Sequence, residues 1–169
     1  MSKRSTYIIS ITGIIAFLCA LLMPMICTTS MTGNAMDFTN YFGIFTTFGG
    51  PLSPIGAEYT IYASFNVGAF MVLVLMLAGD LLVFFLGQKQ VTAIVLNMLL
   101  HAVSGIMLIY SQFFFDRANG VLTGFTAYET TGFGAYVAMA LCFIVVIESI
   151  AVLYIMHADS VRSRPKSRR

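Results

Sequence analysis

Residues 64–87 read SFNVGAFMVLVLMLAGDLLVFFLG, an unbroken apolar run whose only charge is Asp80. A bilayer crossing needs about 20 consecutive, mostly apolar residues. The stretch is therefore a complete span, and it carries an acid within it. Three further runs meet the same requirement, Tyr7–Cys27, Val91–Phe115 and Phe133–Met156. Across the chain 59% of residues are apolar and 9% charged, with a mean hydropathy of +0.89, which excludes an ordinary soluble domain of this length. The expected fold is an all-α membrane protein, a four-transmembrane-helix up–down bundle.

The basic residues orient it. Lys3 and Arg4 precede the first span, Lys89 sits in the tight turn between the second and third, and Arg162, Arg164, Lys166, Arg168 and Arg169 follow the fourth. Only Arg117 falls on the other side. By the positive-inside rule both termini are expected in the cytoplasm, as an even number of spans requires. The expected organisation is a cytoplasmic N-terminus at 1–6, a four-span domain at 7–156 with outer loops at 28–63 and 116–132, and a basic cytoplasmic tail at 157–169. The first run exceeds the apolar length of a secretory signal and lacks an A-x-A-like cleavage site, so it is expected to stay as a span. The tail, with five basic residues and Pro165 in its last nine positions, is expected to be disordered and to lie near anionic lipid.

Three ionisable residues fall inside the spans: Asp80 in the second, His101 in the third and Glu148 in the fourth. At 1.5 Å rise per residue they lie about 12–16 Å from the inner ends of their helices, a common depth. Asn97 is one turn from His101, Ser104 and Ser111 continue that stripe, and Ser10 and Thr12 match the depth on the first span. A charge at mid-helix costs about 2.5–3.5 kcal/mol on insertion scales, so such groups demand partners. An intramembrane polar cluster of Asp80, Asn97, His101 and Glu148 is therefore expected. Three uses stay open: a hydrogen-bonded clasp between helices, a proton or cation pathway with shared protons, or an acid turned outward to a partner subunit.

The first outer loop is rich in Thr, Gly and aromatics. Asp37–Phe48 and Glu58–Phe65 have strand composition, and Gly49–Pro54 between them is a breaker cluster expected to turn one back on the other. Val121–Tyr128 in the second outer loop is a third strand candidate. A small extracellular β-sheet from the two outer loops would satisfy their backbone groups. Its aromatics, Phe38, Tyr41, Phe42, Phe45, Tyr59 and Tyr62, are the expected interaction surface, although aromatics also gather at membrane interfaces.

The layout of four spans, cytoplasmic termini, a long strand-forming first outer loop and a tight 2–3 turn resembles the claudin/PMP22-type tetraspan plan. Gly105–Phe113 leaving the third span and Gly132–Tyr136 opening the fourth are similar to that plan's third-helix exit and fourth-helix entry. The chain departs from it in having no Trp and no cysteine between Cys27 and Cys142, where the claudin first loop carries a tryptophan-containing signature with two cysteines. The resemblance implies fold alone.

Cys19, Cys27 and Cys142 are not placed to form an outer-loop disulfide and read as small apolar residues, and the methionines as adaptable filler. No N-x-[ST] sequon occurs, which favours a prokaryotic source. Gly134-x-x-x-Ala138 permits close helix contact. H-E-x-x-H, G-x-S-x-G, C-x-x-C and P-loop motifs are missing, so no catalytic residue, metal or cofactor is expected, and no folded basic face suggests nucleic acid. The expected function is that of a non-enzymatic scaffold or accessory subunit of the plasma membrane. Its partners are the lipid bilayer and other membrane proteins or further copies of itself. The rival is a small oligomeric proton or ion channel or transporter using the Asp/His/Glu cluster.

Overall fold

In a computed structural model, the structure describes residues 3–32, 35–52, 61–63, 65–87, 90–110 and 128–162. Its frame is four helices long and apolar enough to cross a membrane: α1 (Lys3–Leu22), α3 (Val67–Leu86), α4 (Val91–Ile109) and α5 (Phe133–Arg162). A short helix, α2 (Gly43–Phe48), lies between the first two. Each long helix packs on two neighbours, in the ring α1–α3–α4–α5.

The long helices turn their polarity inside out. On α4 the buried positions are Ala93, Ile94, Asn97, His101, Ser104, Gly105 and Leu108, whereas Leu96, Leu99, Val103 and Ile106 face outward. On α1 the outward set is Ile8, Ile11, Ile14, Ile15 and Leu18, and on α5 it includes Ile144, Ile147, Ile150 and Tyr154. Small residues fill the interior. Ala16, Ala20, Ala69, Ala135 and Ala138 are buried, so the Gly134-x-x-x-Ala138 stripe is spent inside the bundle and not on its surface.

The first helix is shorter at its far end than the sequence suggests. It stops at Leu22, and Pro24–Cys27, expected as helix, instead opens a strand. Pro24 explains this: proline cannot donate into the helix, and it biases the residue before it toward extended backbone. Strand β1 (Pro24–Thr32) pairs antiparallel with β2 (Ala35–Phe42), from Thr32 opposite Ala35 down to Pro24 opposite Phe42. Gly33-Asn34 falls between them in the sequence, a pair suited to a tight hairpin connection. The other edge of β1 takes β5 (Tyr128–Thr131), with Ile26 opposite Thr131 and Thr29 opposite Tyr128. A three-stranded sheet from both interhelical segments results, in the order β2–β1–β5.

The expected strand pairing needs correction. Asp37–Phe48 is not one strand: β2 ends at Phe42, and Gly43 starts α2. Its partner is β1, not the stretch 58–65. The breaker cluster instead contributes β3 (Gly50–Leu52), which pairs with β4 (Ile61–Ala63). The third strand candidate lies outside the described residues except for Tyr128, which opens β5. The third helix reaches Ile109, and 111–115 lies outside the described residues. The fourth continues past Met156 to Arg162, so the start of the tail is helical, and 163–169 is outside the described residues.

Sheet and bundle are joined through the backbone of Met23–Met25. Met23 N–H closes the last turn of α1 on Cys19 O at 3.0 Å, Met23 O accepts from Gly43 N–H at 3.1 Å, and Met25 O accepts from Gly132 N–H at 2.8 Å. A Cβ on Gly43 would overlap the Ala20 carbonyl oxygen, and one on Gly132 the Pro24 carbonyl oxygen. Both glycines are therefore demanded by backbone-to-backbone approach. We expect Gly132→Val to lower stability by about 1–3 kcal/mol, the usual range for forced overpacking, read as an earlier unfolding midpoint in detergent. Phe133→Val, next along the chain but exposed, should leave the midpoint close to wild type.

Candidate functional site

The polar residues of the long helices meet in one layer, and two glycines make room for it. Asp80 sits on α3 just after Gly79. Its carboxylate lies against Gly13 of α1, where a Cβ would overlap Oδ1. Gly79 in turn accepts Asn97 and His101 of α4, since a Cβ there would overlap Asn97 Oδ1 and come within 3.3 Å of His101 Nδ1. Glycine in a helix interior costs about 0.5–1 kcal/mol relative to alanine, so these two positions are kept for closeness, not for helix formation.

In the space so made, His101 Nε2 stands 3.5 Å from Asp80 Oδ1, with the two side chains 0% and 1% exposed. His101 Nδ1 lies 3.2 Å from the carbonyl oxygen of Asn97, one turn back. A carbonyl can only accept, so Nδ1 carries the hydrogen, and Nε2 is left to face the acid. Ser10 Oγ of α1 donates to the backbone carbonyl of Asp80 at 3.3 Å.

Glu148 does not join this contact directly. It is half-buried on α5, and Thr12 Oγ1 of α1 donates to its Oε1 at 3.3 Å. The same hydroxyl lies 3.1 Å from Ile8 O in its own helix. Thus α1 passes between the two acids, with Gly13 against Asp80 and Thr12 against Glu148. The expected cluster of Asp80, Asn97, His101 and Glu148 is one layer in two parts. Asp80, Asn97 and His101 come together, and Glu148 is tied to them through α1.

Ser104 and Ser149 are also buried, and Ser111 is outside the described residues. Among the described residues, both carboxylate oxygens of Asp80, Nε2 of His101, the side-chain amide of Asn97, the hydroxyls of Ser104 and Ser149 and Oε2 of Glu148 are buried and make no hydrogen bond, so Asp80 and His101 meet as an ion-pair contact. Among the described residues no three His, Cys, Asp or Glu side chains approach as metal ligands would. The free thiol of Cys142 is buried on α5, where its Cβ lies close to Gly105 of α4.

The expected outer aromatic surface divides. Tyr41 is turned inward, only 5% exposed, and so leaves the interaction surface. It lies on β2 next to the junction with α1, and it packs into the bundle core with Met25 and Ile26. Phe42 and Phe45 are exposed. Phe38 falls on β2 and Tyr62 on β4, whereas Tyr59 lies outside the described residues. Sequence reasoning passed over Gly13 and Gly79. The available signal was a glycine at the depth of Asp80 on α1 and another beside it on α3.

No protein-family profile matches the chain, and no curated protein matches it significantly.

Chemically, the layer can link all four helices, and its Asp80–His101 part can hold a proton between an acid and an imidazole. A double-mutant cycle separates its two parts. Asp80→Asn with His101→Gln should show a coupling of about 1 kcal/mol, as contacting polar pairs do. Glu148→Gln with His101→Gln should be additive to within about 0.5 kcal/mol, because they share no direct contact. Unfolding midpoints of the single and double variants, measured under one detergent condition, provide both numbers.

Proposed function

We propose that this is a multi-pass protein of the plasma membrane with both termini in the cytoplasm. In this reading it acts as a non-enzymatic scaffold or accessory subunit and holds other membrane proteins against its outer sheet and helix faces. The observation that carries the reading is the inward-turned polar layer. Asp80 and His101 are sealed between helices held close by Gly13 and Gly79, and the outer surface of the spans is apolar. Such a bundle is a preformed platform that meets lipid or other helices on every side.

The plan also fits a claudin/PMP22-type layout, which we propose for the fold alone. Glu148 adds a specific feature. It lies half-buried at the seam between α1 and α5 beside the outward Ile144 and Ile147, and its Oε2 is unpaired. Because Oε2 is buried, a partner's helix would seat on Ile144 and Ile147 over this seam instead of bonding to the acid.

The test is photo-crosslinking from position 147 in native membranes, followed by purification in mild detergent. The expected outcome is one dominant adduct with a different membrane protein, weakened by Ile144→Ala. A specific observation also favours the rival: an acid and an imidazole in contact between two spans is a unit from which proton pathways are built. The two readings part in liposomes. Asp80→Asn and Glu148→Gln should leave no pH-driven flux to lose. If the wild type conducts and both folded variants do not, the scaffold reading is wrong.

A further inference from the structure

The helix α2 has its polarity reversed. Its six residues are Gly-Ile-Phe-Thr-Thr-Phe. Thr46 and Thr47 face the protein, Thr46 only 1% exposed, whereas Ile44, Phe45 and Phe48 face outward, Phe45 at 43%. A short helix on a water-exposed surface would place the hydroxyls outside. Here the Thr46 hydroxyl is spent on the carbonyl oxygens of Phe42 and Gly43, at 3.2 and 3.1 Å, and the rings are turned away. This is the same inversion that the long helices show.

Its position is fixed at both ends. Gly43 is pinned to the end of α1 by its N–H on Met23 O and by backbone contact with Ala20. Thr47 O accepts from Asn66 N–H at 2.9 Å, and the Asn66 side chain caps α3 by accepting from Ala69 N–H at 3.1 Å. Helix α2 therefore bridges the last turn of α1 and the first turn of α3, at the end of the bundle where the sheet begins. Phe48 stacks with Phe65 and Phe70, with ring centroids 6.3 and 6.0 Å apart, and Phe65 lies 5.3 Å from Phe70. Beyond that group the outward face of α3 continues with Val67, Met71 and Val74. The outer face of α2 and the apolar face of a span form one surface.

We propose that α2 is an interfacial anchor. Its face of Ile44, Phe45 and Phe48, with Phe42 and Phe65 beside it, seats in the headgroup–acyl boundary of the outer leaflet and fixes the height of the sheet above the bilayer. Lipid is the occupant because the face continues without a break into the apolar surface of α3 and sits level with the ends of two spans. Aromatic rings are favoured at that depth, and a short apolar helix face lies in the interfacial plane. The proposal rests on the membrane reading above. It moves Phe42 and Phe45 from a surface for protein partners to one for lipid.

The chain has no tryptophan, so a single introduced indole is an unambiguous reporter. Phe45→Trp and, as a second variant on the same face, Ile44→Trp are reconstituted in phosphatidylcholine/phosphatidylglycerol vesicles. The vesicle lipids are brominated at either shallow or deep acyl positions. Leu99→Trp, outward and 53% exposed at the middle of α4, reports the hydrocarbon core. The expected result is blue-shifted emission for the α2 reporters, with intensity lost most strongly to shallow bromines, and for Leu99→Trp lost most strongly to deep ones. The α2 quenching should not change as protein density is lowered.

If Leu99→Trp is quenched and both α2 reporters are not, the anchor is wrong and the membrane reading stands. The same holds if α2 quenching appears only at low protein density, since a second copy then covers the face. If no reporter is quenched, the membrane reading itself fails.

Discussion

The approach of Asp80 to His101 is the contact around which the four helices are arranged. An acid and an imidazole buried this completely are tolerable only if each meets the other at close range. That range is available only because Gly13 and Gly79 remove the side chains that would hold the helices apart. With α1 and α4 drawn in on either side of α3 at this level, the core combines small residues with larger ones such as Ile9, Met76, Val83 and Ile94. The buried alanines at 16, 20, 69, 135 and 138 lie in the part of the core that holds Met25, Ile26 and Tyr41. Many further large aliphatic side chains, among them Ile11, Leu99 and Ile147, face outward.

A second constraint acts at the other end of the bundle, and it works through backbone. Three successive residues, Met23–Met25, terminate α1, begin the sheet and receive α2 and the start of α5. Proline at 24 ends the helix, and glycines at 43 and 132 let two other segments reach carbonyl oxygens that side chains would otherwise screen. The sheet is therefore attached to α1 by the chain itself and to α5 by Gly132 N–H, through β5. Strand pairing between the two interhelical segments adds a third tie. The sheet and the helix ends are held as one unit, which supports a role in presenting a fixed surface.

The four long apolar helices were legible because a run of apolar residues has few alternatives once it reaches bilayer length, whereas the short helix α2 was not. The depth match of Asp80, His101 and Glu148 was legible for the same reason: rise per residue converts sequence position to height. Azimuth was not. Nothing in the spacing of Thr12, Asp80 and Glu148 says that α1 passes between the two acids, because that depends on the order of helices around the ring. The strand partners were not legible because β1 begins at Pro24, inside a run apolar enough to read as helix through Cys27. The β-branched run Ile26–Thr32 was thereby divided between a span and a loop. Tyr41 and Phe42 show the same limit on a smaller scale: adjacent residues on one strand face opposite ways, and composition alone does not choose which is buried.

The separation of the two acids also bears on what the layer can do. Carboxylates that share a proton must nearly touch, as in paired-acid sites where one ionisation suppresses the other. Here Gly13 and Thr12 of α1 intervene, and the Thr12 hydroxyl has one hydrogen to divide between Ile8 O and Glu148 Oε1. A hydroxyl so engaged ties helices together more readily than it passes a proton on, because relaying would require it to release one bond while forming another. Ser10 has the same character, with its hydrogen committed to the backbone carbonyl of Asp80. Ser10 and Thr12 of α1 thus both place a donor on a neighbouring helix. Such commitments favour a clasp over a relay.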